Sequence, residues 1–148
     1  MTVNSKSFLK ALRTICDDVI TDTARLRVYE TDGLTAKRQL PAIVVIPSRV
    51  DQVQAIVRLC HQHEVPLVVR GAGTGLSGGA MPHEKGVLLV MAKFNQIISV
   101  DKTGMTACVQ PGVTNLSITE AVADLGFYYA PDPSSQIACT IGGNVAEN

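Results

Sequence analysis

A glycine-rich stretch is the most chemically suggestive part of this sequence. Arg70-Gly71-Ala72-Gly73-Thr74-Gly75-Leu76-Ser77-Gly78-Gly79 packs five glycines into nine residues after a short apolar run. Glycine allows positive φ and lets backbone N–H groups come close to an anion. Successive exposed N–H groups form a concave anion site. Thr74 and Ser77 add hydroxyl donors, and Arg70 adds charge. The ligand class this suits is a diphosphate. Two common phosphate loops fail on detail. A Walker loop ends in Gly-Lys-Ser/Thr, and no lysine lies between Arg70 and Met81. A Rossmann fingerprint matches formally from Gly73, but Gly78-Gly79-Ala80-Met81-Pro82 does not start a helix. A plain glycine loop between strands remains the alternative reading of this segment.

Three further clusters carry small polar groups. Pro111-Gly112-Val113 reads as a turn before a helix. Pro131-Asp132-Pro133-Ser134-Ser135 is a stiff polar loop whose prolines fix φ. Thr140-Ile141-Gly142-Gly143-Asn144 sets a glycine pair between a hydroxyl and an amide. Taken one at a time, each could be an ordinary turn. Together with the glycine loop they suggest a long groove with a diphosphate centre and polar ends, the shape of a dinucleotide. No side chain is marked as a general base. His61 and His63 fall on a predicted surface helix, His83 lies in a loop without an obvious partner, and Asp132 reads as a ligand or structural acceptor. No catalytic residue is assigned.

Composition narrows the function classes. The 148 residues carry 13 basic and 13 acidic side chains, so the net charge is zero, and no basic stretch is present. With aromatics at 4% and no tryptophan, nucleic acid is not expected as a partner. Apolar residues at 46% against 18% charged exclude general disorder. The longest apolar runs, 42–46 and 87–92, are far short of the roughly 20 residues that span a bilayer. No secretory leader or transmembrane segment is expected. Cys16, Cys60, Cys108 and Cys139 are widely spaced, without a CxxC pair, and read as reduced, buried small apolar residues in a cytoplasmic protein. No metal site is expected, because His61 and His63, two apart, fall on different faces of a helix.

The elements that must hold these clusters follow from periodicity. Helical spacing of Phe8, Leu9, Leu12, Ile15, Cys16 and Val19 predicts a helix over 5–20, capped by Asn4 or Ser5. Residues 21–40 look irregular. Ala42 to Ile46, fenced by Pro41 and Pro47, predicts a buried strand. Ser48 is expected to cap a helix over 50–63, with Val53, Ile56, Val57 and Cys60 on one face. Leu67 to Arg70 is the next strand, giving a βαβ unit and a parallel pair. Val87 to Met91 is a third buried strand. Ile97–Val100 and Met105–Val109 flank a turn at 101–104 and read as an antiparallel hairpin. Thr114 caps a helix over 115–125 carrying Leu116, Val122 and Leu125, with Gly126 at its C′ position. From Tyr129 to Asn148 the chain looks like loop.

In that order and spacing, the segments Pro41–Ser48, Val68–Gly79, Pro131–Ser135 and Cys139–Asn144 closely resemble FAD-linked oxidases of the vanillyl-alcohol oxidase/p-cresol methylhydroxylase family. The resemblance covers about residues 23–148. It is strongest to the FAD-linked subunits of glycolate oxidase and to D-lactate and D-2-hydroxyacid dehydrogenases. It implies an α+β, two-lobed FAD-binding domain of the p-cresol methylhydroxylase type. A βαβ parallel lobe, about 41–94, is followed from about 95 by the start of an antiparallel lobe, and residues 1–40 form an N-terminal helix and connector. By position, Arg70, Gly71, Ala72, Gly73, Thr74, Gly75, Leu76, Ser77, Gly78 and Gly79 would hold the diphosphate. Pro111 and Gly112 would lie toward the adenine. Asp132, Ser134, Ser135, Thr140, Gly142, Gly143 and Asn144 would line the stretch toward the isoalloxazine. Some relatives attach flavin through a histidine in the glycine loop; Thr74 stands in that region here, so noncovalent FAD is implied.

The resemblance also implies oxidation of a 2-hydroxyacid, of glycolate or D-lactate type, by hydride transfer to flavin. Electrons would pass to a further acceptor, and electron-transfer partner subunits could hold the protein at the inner membrane. The last motif continues in relatives beyond the position of Asn148, so the chain reads as the N-terminal piece of a longer protein whose C-terminal region takes the substrate. Alone it is expected to be an inactive FAD-binding fragment. A noncatalytic nucleotide-binding module of the same fold is the alternative.

Overall fold

In the computed structural model, residue 3 and residues 5–131 and 133–147 are described. Helix α1, Lys6–Ile15, is capped by Ser5, whose Oγ accepts from the Phe8 N–H at 3.3 Å; Asn4, the other candidate cap, lies outside the described residues. The helix stops short of the predicted residue 20 because Val19–Ile20 form a strand, β1, that pairs antiparallel with β2, Ile43–Val45. Pairing with a neighbouring strand outweighs the helical spacing of Val19. Residues 21–40 are more ordered than their polarity suggests. Asp22 caps a short helix, α2, Thr23–Leu26, and a 3-10 turn follows at Arg27–Tyr29.

Helix α3, Val50–Gln62, carries β2 toward β3, Leu67–Arg70. Ser48 does not cap α3. Arg49 holds the N-cap position without a side-chain bond, while the Ser48 N–H donates to Gln52 Oε1 at 2.9 Å. Strand β4, Val87–Val90, lies between β2 and β3 and is parallel to both, giving the order β1-β2-β4-β3. The two strands of the predicted βαβ unit are therefore parallel but not adjacent. The sheet's own side chains explain the central place of β4: all four of its residues are buried, as a strand paired on both edges and covered on both faces requires.

Side chains alternate across this sheet. On one face Ile43, Val45, Val87 and Leu89 pack with Phe8 and Leu12 of α1 and Ile56 and Cys60 of α3. On the other, Val44, Leu88 and Val90 pack with Ile20 and Leu26. Strands β5, Ile97–Asp101, and β6, Thr106–Val109, form a separate antiparallel hairpin. Its turn is shaped by Asp101 Oδ1, which accepts from the N–H groups of Thr103 and Gly104 at 2.9 and 3.1 Å.

Helix α4, Asn115–Ala123, starts at Thr114, whose Oγ1 accepts from the Ser117 N–H at 3.2 Å. Its buried face is Asn115, Ile118 and Val122, one residue round from the predicted Leu116 stripe, and Leu125 lies beyond its end. Gly126, with φ +79°, closes the terminus by donating to the Ala123 carbonyl at 2.9 Å. The region read as loop contains a fifth helix, α5, Ile141–Glu147. No helix among the described residues is long and apolar enough to cross a membrane.

Candidate functional site

Strand β3 ends at Arg70, and its guanidinium turns under the glycine loop rather than out of it. The side chain is only 8% exposed. Its Nη1 donates to the carbonyls of Thr31 at 2.7 Å and Ala80 at 3.3 Å. The guanidinium carbon stands 6.0 Å from the Tyr29 ring centroid, within cation–π range. Burial lowers the affinity of Arg70 for its proton, and the nearby Tyr29 and Asp32 oppose that shift. Arg70 thus ties together the 29–32 connector, the start of the loop and its far end at Ala80.

The loop itself is set by backbone geometry. Gly73 and Gly78 take φ +76° and +83°, where side chains with a Cβ are strained. A Cβ on Gly73 would also run into the pinned Arg70 guanidinium. The Gly33 N–H donates to the Gly75 carbonyl at 3.0 Å, and a Cβ on Gly33 would come within 2.5 Å of the Thr74 carbonyl oxygen. The connector therefore packs flush against the loop. Thr74 is half-buried, while Ala72, Leu76, Ser77, Gly78 and Gly79 are exposed, so part of the loop is open to solvent.

Two of the other clusters converge here. Thr140 bridges to Thr114, and the Ile141 N–H donates to the Val113 carbonyl and the Gly142 N–H to the Pro111 carbonyl, each at 2.9 Å. A Cβ on Gly142 would sit 2.7 Å from Pro111 Cβ, and one on Gly112 would sit 2.6 Å from the Met91 carbonyl oxygen. The Thr140 Oγ1 faces Gly71, and the Glu147 carboxylate lies over Gly75 and Gly79. Helix α5 is consequently laid against both the glycine loop and the Pro111-Gly112 turn. Gly143 has ordinary space, with Thr140 Oγ1 3.6 Å from where its Cβ would be.

The Pro131–Ser135 cluster connects less directly. Ser134 is exposed, and Ser135 is half-buried in a turn where its carbonyl accepts from Ala138 and Cys139 N–H groups at 2.8 and 2.7 Å. Asp132 lies outside the described residues. This segment reaches the rest of the site through Asn115, which pattern reading passed over: Asn115 Nδ2 donates to the Pro131 carbonyl at 3.2 Å, and Asn115 Oδ1 accepts from Asn144 Nδ2 at 2.5 Å. Gly33, Thr31, Ala80 and Glu147 were likewise unmarked. Only Gly33, an isolated glycine among polar residues, carried a signal that could have found it. Chemically, the assembly offers a run of glycine backbone over a buried cation, flanked by an amide, a hydroxyl and the Glu147 carboxylate.

Residues 41–148 match the profile of the FAD binding domain family. The chain is 63% identical over 120 residues to the glycolate oxidase subunit GlcD of Escherichia coli (strain K12), which spans 81% of this chain and 24% of that protein. It is 36% identical over 130 residues to D-2-hydroxyglutarate dehydrogenase of Stutzerimonas stutzeri (strain A1501), spanning 88% of this chain and 28% of that one. The fold is also that of p-cresol methylhydroxylase, in a crystal structure with substrate bound, at a TM-score of 0.69 and 27% identity over 80% of this chain and 24% of that chain. The chain thus spans about a quarter of the length of the relatives it matches. On the match over residues 41–148, the chain belongs to the FAD binding domain family.

Proposed function

We propose that this chain is the FAD-binding part of a flavoenzyme that oxidises a 2-hydroxyacid, of glycolate or D-lactate type, to the 2-oxoacid. The observation that carries the reading is the convergence of Gly71–Gly79, Pro111-Gly112 and Thr140–Asn144 on one surface, through approaches that leave no room for a Cβ at Gly71, Gly112 or Gly142. On this reading the cradle would take a dinucleotide in place of the Glu147 carboxylate, which lies over Gly75 and Gly79. N–H groups of the loop would take the diphosphate, with Arg70 supplying positive charge from beneath. Pro111 and Gly112 would lie toward the adenine, and Ser134, Ser135, Thr140, Gly142, Gly143 and Asn144 toward the isoalloxazine, with Asp132 beside them. When bound, the flavin supplies a hydride acceptor for the substrate α-carbon.

FAD would be held without a covalent bond, since Thr74 offers no ring nitrogen. The domain would run over 41–148, with lobes at about 41–94 and from about 95, behind the 1–40 helix and connector. The groups that bind the hydroxyacid and take its proton would come from the remainder of a longer protein, which would be cytoplasmic and reach the inner membrane through electron-transfer subunits. The second reading, an FAD-binding fragment without catalysis, describes residues 1–148 by themselves, since they span about a quarter of the length of the relatives they match. The test is acid precipitation of the purified full-length protein followed by dye-coupled assay with 2-hydroxyacids. Yellow FAD in the supernatant and substrate-dependent dye reduction are expected. Flavin left in the pellet would overturn noncovalent binding, and a colourless protein that takes up no FAD would overturn the assignment.

A further inference from the structure

We propose that Glu147 sets the affinity and the charge selectivity of the glycine cradle: its carboxylate rests over the loop as an internal competitor and must swing away to admit a diphosphate. This rests on the FAD-binding reading above. Glu147 closes α5 and is exposed. A Cβ on Gly75 would collide with its Oε2, and one on Gly79 would sit 2.9 Å from its Oε1, so both carboxylate oxygens lie against the loop. Among the described residues, no lysine, arginine or histidine pairs with it. Nor does any backbone N–H from Gly71 to Gly79 donate a hydrogen bond within the described chain. An unpaired carboxylate thus lies over a loop whose donors are uncommitted.

The charges at the loop make the two anions rivals. Beneath it stands Arg70, whose single positive charge is opposed by buried Asp32. Carboxylate and phosphate oxygens draw on the same N–H donors and the same cation. A diphosphate brought in beside Glu147 would also set like charges a few ångströms apart, which costs free energy. That cost grows with the charge of the ligand, so Glu147 disfavours a bare polyphosphate more than a dinucleotide whose rings add contacts of their own. Release needs only a change of side-chain rotamer toward solvent. The other end of α5 stays tied, because the Ile141 and Gly142 N–H groups donate to the Val113 and Pro111 carbonyls.

The test titrates full-length apoprotein with FAD by flavin fluorescence, and with inorganic pyrophosphate as competitor, at low and at high salt. Glu147→Gln keeps the size and removes the charge; Glu147→Ala removes both. Each should tighten FAD binding on the order of fivefold at low salt, with a larger gain for pyrophosphate, and the gains should fade as salt rises because the carboxylate is exposed. Loss of a merely structural contact would weaken binding instead. Glu120→Gln, the same change of charge at an exposed position of α4, should leave both affinities within about twofold. FAD affinity unchanged or weaker in both Glu147 variants, no gain for pyrophosphate, an equal gain in Glu120→Gln, or a gain that salt leaves intact would each overturn the proposal. If neither wild type nor variants take up FAD, the parent reading falls and this one with it; normal wild-type binding with unaffected variants overturns only the role of Glu147.

Discussion

Along β4, Val87, Leu88, Leu89 and Val90 are all buried, with apolar side chains packed on both faces of the sheet. Along Gly71–Gly79, one strand away in sequence, no residue is buried. The sheet is held by area: each fully buried aliphatic side chain contributes about 1.5–3 kcal/mol. The glycine-loop assembly is held by a few hydrogen bonds, net about 1 kcal/mol each, and by backbone approaches that only glycine permits. A region built on burial tolerates small shifts poorly but is insensitive to any one polar group. A region built on close approach is decided residue by residue. Sheet and glycine-loop assembly can therefore be damaged separately.

The largest effect is expected in the sheet region. Leu12→Ala removes a fully buried side chain from the α1–α3 face and should cost about 3 kcal/mol in denaturant unfolding, while FAD affinity of the remaining folded protein stays near wild type. Comparable losses of both would show that the two regions are one cooperative unit. Gly73→Val should do the reverse. The φ of +76° and the pinned guanidinium behind it predict a loss of FAD affinity on the order of 100-fold, about 2.7 kcal/mol, with a smaller drop in melting temperature than Leu12→Ala. Equal FAD affinity in titration would remove Gly73 from the site.

A titration sharpens the contrast further. Burial pushes the Cys60 thiol up to about 11, from an ordinary 9.0. The folded state keeps the proton that the unfolded chain releases first, so this contribution is complete below pH 9 and is lost as pH rises toward 11. Relative to Cys60→Ala, wild-type stability should fall by on the order of 2 kcal/mol over that window. Parallel curves for the two proteins would show that the thiol is not shielded. The smallest effect belongs to the Lys93–Asp18 pair, which links the β4–β5 connection to the segment before β1 and is 46% exposed on both sides. Asp18→Asn should lower the melting temperature only slightly, and by less in high salt; a salt-independent loss would place the pair in the tightly held region instead.

The sheet region was readable because its signals are local and periodic. The runs at 43–45, 67–70 and 87–90 announce buried strands by themselves. Their order is different in kind: nothing in the run at 87–90 says that it slots between the other two, because pairing is decided by the tertiary cover of both faces. In the site, the glycine loop was conspicuous and its partners were not. Gly142 and Gly143 read as loop because glycine weakens a helix by about 1 kcal/mol relative to alanine, yet Gly142 lies inside α5 because Pro111 leaves no space for a Cβ. Asn115 read as an ordinary polar residue after the Thr114 cap, since the carbonyl that orients it is 16 residues away. Arg70 was expected to add charge to a loop that holds the diphosphate through backbone N–H groups, with nothing to say where its guanidinium lies. Its hydrogen bonds to Thr31 and Ala80 carbonyls place it beneath the loop.

That placement has an electrostatic consequence. The Arg70 guanidinium is desolvated and bonded to carbonyls, with no carboxylate within ion-pair distance among the described residues. Mobile counter-ions weaken interactions between charges that water surrounds, and reach buried ones far less. The field of Arg70 at the loop is thus little weakened by salt, while the fixed carboxylates of Asp32 and of Glu147 over Gly75 and Gly79 oppose it. On the FAD-binding reading, its attraction for a phosphate anion would persist at ionic strengths that would silence a lysine on the surface, and the pull on the ligand would be a property of the folded interior rather than of the surrounding electrolyte.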